Sequence, residues 1–466
     1  MGNSISWLEE EMKNCIIHDK RIRNRLIMTG EKLSMHPQGS IPQACKRRAE
    51  IKGAYRLFDN EKVSTEGILS GHRDRTISRI KDHKTVLLVQ DTTTLDYSSH
   101  DETEGLGNNT RYTKGKGLLL HTTMALSGAG MPLGIMAQKY WTRDPDEWGK
   151  KIRRKKSGIE DKESYRWLEA LEESNEGIPG DILTVTIADR EADIYDLFHA
   201  AQNSGHHVLI RAVGTRKVES ETQSVYAEVK ARQPEKELEI TIPRNSRLKQ
   251  SERTARLALR YCAVKIKPPR HRSQDKSLPM VELYAVCANE EHPPEGVAPI
   301  SWLLLTTIPV VSYEEAVEKV RWYKHRWLIE RFHYTLKSGC TVEELQLETA
   351  DRLKNAIALY SIIAWKILWL VYEVRLNPDI NCEKVMSTHE WQCAYCMVHE
   401  VPDPPAHPPT LREAMLLVAR LGGFMCRKGD GDPGVKVLWH GYTRVRDLAS
   451  FWNIKSASPQ INVGNG

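Results

Sequence analysis

Two apolar runs that each close on an aspartate constrain this chain more than any other feature. They are Thr85-Val-Leu-Leu-Val-Gln-Asp91 and Asp181-Ile-Leu-Thr-Val-Thr-Ile-Ala-Asp189. Each is a mostly apolar run that reads as a buried strand with its acid at the end. Residues 118–126 and 131–140 are two further strand candidates, joined through Gly128 and Gly130 as in an antiparallel meander. Residues 163–173 show helical spacing in Tyr165, Leu168 and Leu171, residues 194–201 continue as a helix, and 207–213 supply a fifth strand. The expected class is α/β, with a mixed five-stranded sheet under helices.

The flanks read differently. Residues 1–80 are predicted helical, with Ile22, Leu26 and Leu33 near helical spacing, a break at Pro37 and Pro42, and a second segment to Phe58. Short alternating stretches at 237–242, 258–266 and 283–288 predict a β-rich insertion over 214–299. A last strand at 302–307 precedes a long helix at 313–338, and the chain from about 350 onward is mostly helical apart from a proline-rich loop at 401–409. The expected domains are 1–80, a core in two parts at 81–213 and 300–345, the insertion at 214–299, and 346–466.

Composition narrows the function. With 466 residues, 40% hydrophobic and 27% charged, and a mean hydropathy of -0.50, the chain suits a globular protein of several domains. A net charge of +6 permits a polyanionic partner without requiring one. The basic residues gather in patches: Lys20, Arg21, Arg23 and Arg25; Lys46, Arg47 and Arg48; Lys150, Lys151, Arg153, Arg154, Lys155 and Lys156. A solvated face accounts for any one patch taken alone.

Nine scattered cysteines argue against a secreted disulfide framework. Cys393-x-x-Cys396, between His389 and His399, lacks the second pair of a zinc ribbon and fits a helix better. Glu9, Glu10 and Glu11 stand where a signal peptide would be basic and then apolar, so a cytoplasmic location is expected. Residues 1–6 fit the short myristoylation pattern. The most apolar stretch, 356–373, is interrupted by Ser361 and Lys366 and suits a buried helix as well as a membrane span.

Carboxylates at the ends of two buried strands suggest an acidic centre able to hold Mg²⁺, which prefers oxygen ligands. Each aspartate also suits a cap for the turn that follows it. The helix at 313–338 adds a third acid. At about 100° per residue, Tyr323, Arg326, Glu330 and Lys337 fall within roughly 60° of one another, with Val317, Leu328, Phe332 and Leu336 opposite. Such a front suits a phosphodiester, with Arg and Lys on phosphate oxygens and Glu completing a metal site. A solvent-facing helix with an Arg326–Glu330 ion pair accounts for the same spacing.

The spacing Tyr323-x-x-Arg326-x-x-x-Glu330-x-x-x-x-x-x-Lys337 resembles the signature of the insertion-sequence-four group of bacterial DDE transposases, and within it the transposon-five branch. Gln90-Asp91-Thr92-Thr93-Thr94 resembles the group's first-Asp strand, and Asp189-Arg-Glu-Ala-Asp193 its second-Asp motif. Gly53-Ala-Tyr-Arg-Leu-Phe58 and Ala419-Arg-Leu-Gly-Gly-Phe-Met425 resemble its N- and C-terminal segments. The resemblance implies an RNase H-like core with a β insertion, a DNA-binding domain before it and a dimerisation domain after it. It also implies catalysis by Asp91, Asp189 and Glu330 holding two Mg²⁺ or Mn²⁺ ions, with Asp91 bridging them. Tyr323, Arg326 and Lys337 would contact DNA.

Trp302 lies where the group's base-stacking tryptophan stands, although a core Trp beside Leu303 and Leu304 suits the position equally; Arg211 is a further DNA-contact candidate. The implied function is cut-and-paste transposition through a hairpin intermediate. The implied partners are inverted-repeat ends, target DNA and a second copy of the chain, in a bacterial, nucleoid-associated setting. The stripe Leu411, Met415, Val418 and Leu421 is one expected subunit surface, and such a stripe equally suits internal core. A DNA-binding regulator descended from a transposase is the alternative; it would be expected to have lost carboxylates, and all three are present.

Overall fold

A computed structural model describes residues 6–109, 115–143, 159–160, 162–222, 224–242, 252–269, 278–427 and 430–457. The chain divides into two compact units: residues 76–94 with 107–330, and residues 1–75 with 95–106 and 331–466. The basic patch at 150–156 and residues 1–5 of the myristoylation pattern lie outside the described residues.

The first of these units is built on one sheet. Its strands are β1 (Thr85–Asp96), β2 (Gly107–Asn108), β3 (Lys116–Ser127), β4 (Pro132–Trp141), β5 (Leu183–Ala188), β6 (His207–Arg211), β7 (Glu237–Ile242), β8 (Arg253–Ile266), β9 (Val281–Glu290) and β10 (Ser301–Thr306). Their order is β2-β3-β1-β5-β6-β10-β9-β8-β7, with β4 paired to β3. β1, β5 and β6 run parallel, whereas every neighbour from β6 to β7 is antiparallel. Parallel neighbours need crossovers, and the helix Tyr195–Ser204 supplies the one between β5 and β6.

Two clusters take up apolar residues of the runs that end in Asp91 and Asp189. Val86 and Leu88 pack with Ile80, Ala125, Leu133 and Met136. Ala188, Val208 and Ile210 pack with Trp167, Leu171, Leu197 and Phe198. Each fully buried leucine of this kind stabilises the fold by about 1.5–3 kcal/mol.

Three expectations are corrected here. The sheet has ten strands rather than five, because β10 bonds to β6 and carries the insertion's strands into the same sheet. β1 does not end at Asp91 but continues through Thr92, Thr93 and Thr94 to Asp96, the β-branched threonines favouring extended backbone.

The helix at 313–338 is not continuous. It ends as Tyr313–Lys324, resumes as Trp327–Tyr334 and closes in a π-turn, Thr335–Gly339. At the break the amides of His325, Arg326, Leu328 and Ile329 each bond three residues back, to Trp322, Tyr323, His325 and Arg326, which tightens the backbone locally. The β3–β4 turn presses against this break. Gly130 has φ 90°, and a Cβ there would lie 2.5 Å from His325 Nδ1.

The other unit is helical. Its longest helix, Ala350–Leu376, is long and apolar enough to cross a membrane, but 72% of its most apolar window is buried within the protein. Leu353, Ile357, Leu359, Ile363 and Leu368 are fully buried. Asn355 Nδ2 donates to the carbonyls of Phe58 and Val63, both at 3.1 Å, tying this helix to the N-terminal segment. The stripe on Leu411–Leu421 is internal: Leu411, Met415 and Val418 are buried. The partner helix is Val435–Ala457, and the two meet at backbone distance. A Cβ on Gly441 would lie 1.7 Å from the Val418 carbonyl oxygen, and one on Gly422 would lie 2.0 Å from that of Val437. The stripe is therefore covered by its own chain and is not an open subunit surface.

Candidate active site

The parallel pairing of β1 with β5 sets Val89 beside Ile187. Two residues further along each strand stand Asp91 and Asp189, so a constant register carries the two carboxylates to the same level of the sheet. Each accepts an amide hydrogen bond close in sequence. Thr92 N donates to Asp91 Oδ1 at 2.9 Å, and Glu191 N donates to Asp189 Oδ1 at 2.8 Å. Asp189 thereby caps the short turn Arg190–Ala192, so the capping role and the acidic-centre role fall on one residue.

Burial pushes the Asp91 carboxyl up to about 7; the Thr92 amide opposes this, the Asp189 charge raises it further, Arg326 lowers it and Glu330 raises it. Asp91 therefore lies within electrostatic reach of both other acids and of one guanidinium. Glu330, on Trp327–Tyr334, is exposed and ion-paired to Arg326 one turn earlier. Glu330 is the exposed partner of this pair and Arg326 the largely buried one, so turning Glu330 toward another cation leaves a desolvated guanidinium that needs a replacement anion.

Around the acids lie the expected DNA-contact residues, with one exception. Tyr323 is buried rather than displayed on an open front, one residue before the end of Tyr313–Lys324. Burial holds its hydroxyl above the ordinary range, while the Arg326 and Arg211 charges pull it down and Asp189 raises it. Trp302, half-buried on β10, meets the Tyr323 ring edge-on at 5.6 Å. Arg211, at the end of β6, donates from Nη2 to the Ser301 carbonyl at 3.1 Å. Burial opposes the Arg326 charge, but Tyr323, Glu330 and Asp91 together hold its pKa above the ordinary value. Lys337 belongs to the other unit, where its ammonium pairs with Glu343 at 3.0 Å.

Among the described residues no three His, Cys, Asp or Glu side chains are closed into a ready-made metal cage. The donor set nonetheless suits a hard divalent cation: Asp91, Asp189 and Glu330 offer only oxygen, and the half-buried Asp91 carries an excess of negative neighbours that a cation would relieve. Cys393 and Cys396 lie on the helix Thr388–His399, with Cys393 buried.

Comparison with known families gives three matches in chain order. Residues 4–63 match the family described as Transposase DNA-binding, residues 166–366 the Transposase DDE domain, and residues 362–454 the Transposase Tn5 dimerisation domain. The chain belongs to the Tn5-like DDE transposases. In this transposase the DDE match takes in Asp189, Arg211, Trp302, Tyr323, Arg326, Glu330 and Lys337, whereas Asp91 lies before it and is tied to the site by the β1–β5 register. The DNA-binding match takes in Lys20, Arg21, Arg25, Lys46, Arg47 and Arg48, all exposed.

Sequence spacing passes over one residue of the site. Arg166 opens the helix Arg166–Asn175 and is about nine-tenths buried, with its guanidinium 5.5 Å from the Trp141 ring and 5.1 Å from that of Trp167. A lone arginine at a helix start carries no periodic signal, so only the fold reveals it.

Proposed function

We propose that this transposase cuts the inverted-repeat ends of a mobile element and joins their 3′-OH groups to target DNA, using Asp91, Asp189 and Glu330 as its catalytic acids. The observation that carries this reading is that Asp91 on β1 and Asp189 just past the end of β5 each stand two residues beyond the paired Val89 and Ile187, with Asp189 and Glu330 both near enough to raise the Asp91 pKa.

Divalent metal ions bound by the three carboxylates would activate the attacking oxygen and stabilise the leaving oxygen of the phosphodiester. The chain's own residues do the rest. Arg326, already desolvated, binds a non-bridging phosphate oxygen once Glu330 turns from it, and Tyr323 donates a hydrogen bond to the same phosphate. Arg211 extends the positive lining toward the strand that leaves. In this reading water cuts first, the freed 3′-OH attacks the opposite strand to give a hairpin, and water reopens it. A base flipped at the bend stacks on Trp302, and the unstacking cost of a few kcal/mol is offset by that contact. Lys337 contacts DNA after exchanging Glu343 for phosphate. The active species is a homodimer, as the dimerisation-domain match suggests, with two ends held together.

The test is Glu330→Ala with end-sequence DNA in Mg²⁺. Single-end binding should stay within about threefold of wild type, and nicking should fall about 10³-fold, near 4 kcal/mol of barrier. Nicking at the wild-type rate would remove Glu330 from the mechanism.

A further inference from the structure

We infer that Arg166 is the positioning residue that locks Asp91 and Asp189 relative to each other. This rests on their assignment as catalytic acids. The Arg166 guanidinium donates from Nε to Thr92 Oγ1 at 3.0 Å, from Nη2 to Glu191 Oε2 at 2.8 Å, and from Nη1 to the Glu163 carbonyl at 2.7 Å. Two of these partners have a second connection. Thr92 is the residue whose amide bonds Asp91, and Glu191 is the residue whose amide bonds Asp189. One planar, rigid group therefore holds the side chains of both residues whose backbones hold the acids.

The chemistry favours arginine for this task. The guanidinium keeps its charge at any working pH and presents donors in a fixed fork, so an oxygen on one strand and an oxygen on the next turn are held at a set separation. Trp141 and Trp167 fix the fork's position from the sides. Its burial also raises the cost of leaving any donor unmet.

The bond to Thr92 sets a chain of further bonds. Thr92 Oγ1, which accepts from Arg166, also lies 2.9 Å from His121 Nδ1, and His121 Nε2 lies 3.4 Å from Gln90 Oε1; a tautomer with Nδ1 accepting and Nε2 donating fits these two contacts. Gln90 and Thr92 flank Asp91 in β1, so both sequence neighbours of the first acid are anchored by one polarised line of bonds.

Lysine cannot span the same three acceptors, so Arg166→Lys is the informative change. The wild type, Arg166→Lys, Thr92→Val, Glu191→Gln, the Arg166→Lys combinations with each, and an Asp91→Asn control are measured together. The readouts are single-turnover cleavage of end DNA, end-DNA affinity, urea midpoint, and Mn²⁺ affinity of the DNA-free protein by electron paramagnetic resonance.

Arg166→Lys should slow cleavage by about 10- to 100-fold and weaken Mn²⁺ binding by a similar factor, the scale seen when outer-shell partners of a metal site are lost. End-DNA affinity should be unchanged, and the losses should not multiply in the Arg166→Lys/Thr92→Val and Arg166→Lys/Glu191→Gln pairs. Wild-type cleavage and Mn²⁺ affinity in Arg166→Lys, beside an inactive Asp91→Asn, would overturn the positioning role alone. Losses that multiply in both pairs would overturn it too. Full activity in Asp91→Asn would instead remove the assignment of the acids on which it stands.

Discussion

The two halves of the ten-stranded sheet are made from similar strands and put to different uses. In the parallel half, β1 and β5 are buried on both faces, and their register leaves two carboxylates at one level. In the antiparallel half, β7 alternates buried and exposed positions, and the exposed faces are laced by ion pairs: Arg256 with Glu239 at 3.0 Å, Lys265 with Glu282 at 2.8 Å. Parallel neighbours bring equivalent ends to one edge, where polar groups gather beyond the last buried residue. Antiparallel neighbours send successive ends to opposite edges and cannot concentrate acids by register alone. The acids stand in the half whose geometry collects them.

The sharpest way to break this comparison is to remove one acid from each half. Asp189→Asn should cut cleavage about 10³-fold with little effect on folding. Glu290→Gln, which releases Arg253 on the extension, should lower the melting temperature and leave cleavage per folded molecule unchanged. A cleavage defect in Glu290→Gln as deep as that of Asp189→Asn would dissolve the distinction.

A second effect differs in sign. In the metal-free protein Asp91, raised from 3.8 to about 7, takes up a proton on folding, so its contribution to stability falls as pH rises from about 4 to 7. Asp91→Asn should therefore be the more stable protein at pH 8, by up to about 4 kcal/mol, and equal to wild type near pH 4. Glu290 behaves the other way. Its hydrogen bond from Arg253 holds its carboxyl below the usual 4.5, so its stabilisation is present above that value and is lost as pH falls through the folded pKa. Relative to wild type, the urea midpoint of Asp91→Asn should rise between pH 4 and 7, whereas that of Glu290→Gln should sit level and lower above about pH 5 and approach wild type as pH falls below 4.5; a pH-independent difference for either variant would refute the sign of its shift.

The seam between the halves predicts a smaller effect. Trp302→Ala should slow hairpin formation more than the first nick, since stacking on a base is worth about 1–3 kcal/mol. Equal slowing of both steps would assign Trp302 to packing against Tyr323 instead. Smallest of all, Arg256→Ala should change stability by no more than about 0.5 kcal/mol, because both partners of its pair are exposed. A larger loss by calorimetry would show that the extension depends on its surface charges.

Much of the parallel half is legible in the residues. The runs ending at Asp91 and Asp189 announce buried strands because each is mostly apolar and carries no charged residue between its first position and the closing acid. The joining of the insertion to the same sheet is not legible, because the pairing of Leu304 with Arg211 and with Val286 is a long-range choice that alternation does not encode. The helix break at His325 is hidden for a related reason. Nothing in Tyr-Lys-His-Arg-Trp disfavours a helix; the break coincides with the close approach of Gly130. The covering of Met415 and Val418 likewise depends on Gly441, whose position across from them appears only once the helices cross.

The double pairing of β10 also limits how the protein could be shortened. A module inherited as a graft sits on a core through its two ends and can be lifted out again. Here the strand nearest the core, β10, is hydrogen-bonded to β6 on one side and β9 on the other, and Leu283, Ala285, Leu303 and Leu305 share one cluster with Phe198 and Val208. Excising β7 to β9 would strip that cluster and leave a naked strand edge ready to recruit another chain. A smaller version of this enzyme would have to be trimmed from the outermost strand inward, each cut leaving a new edge to be blunted.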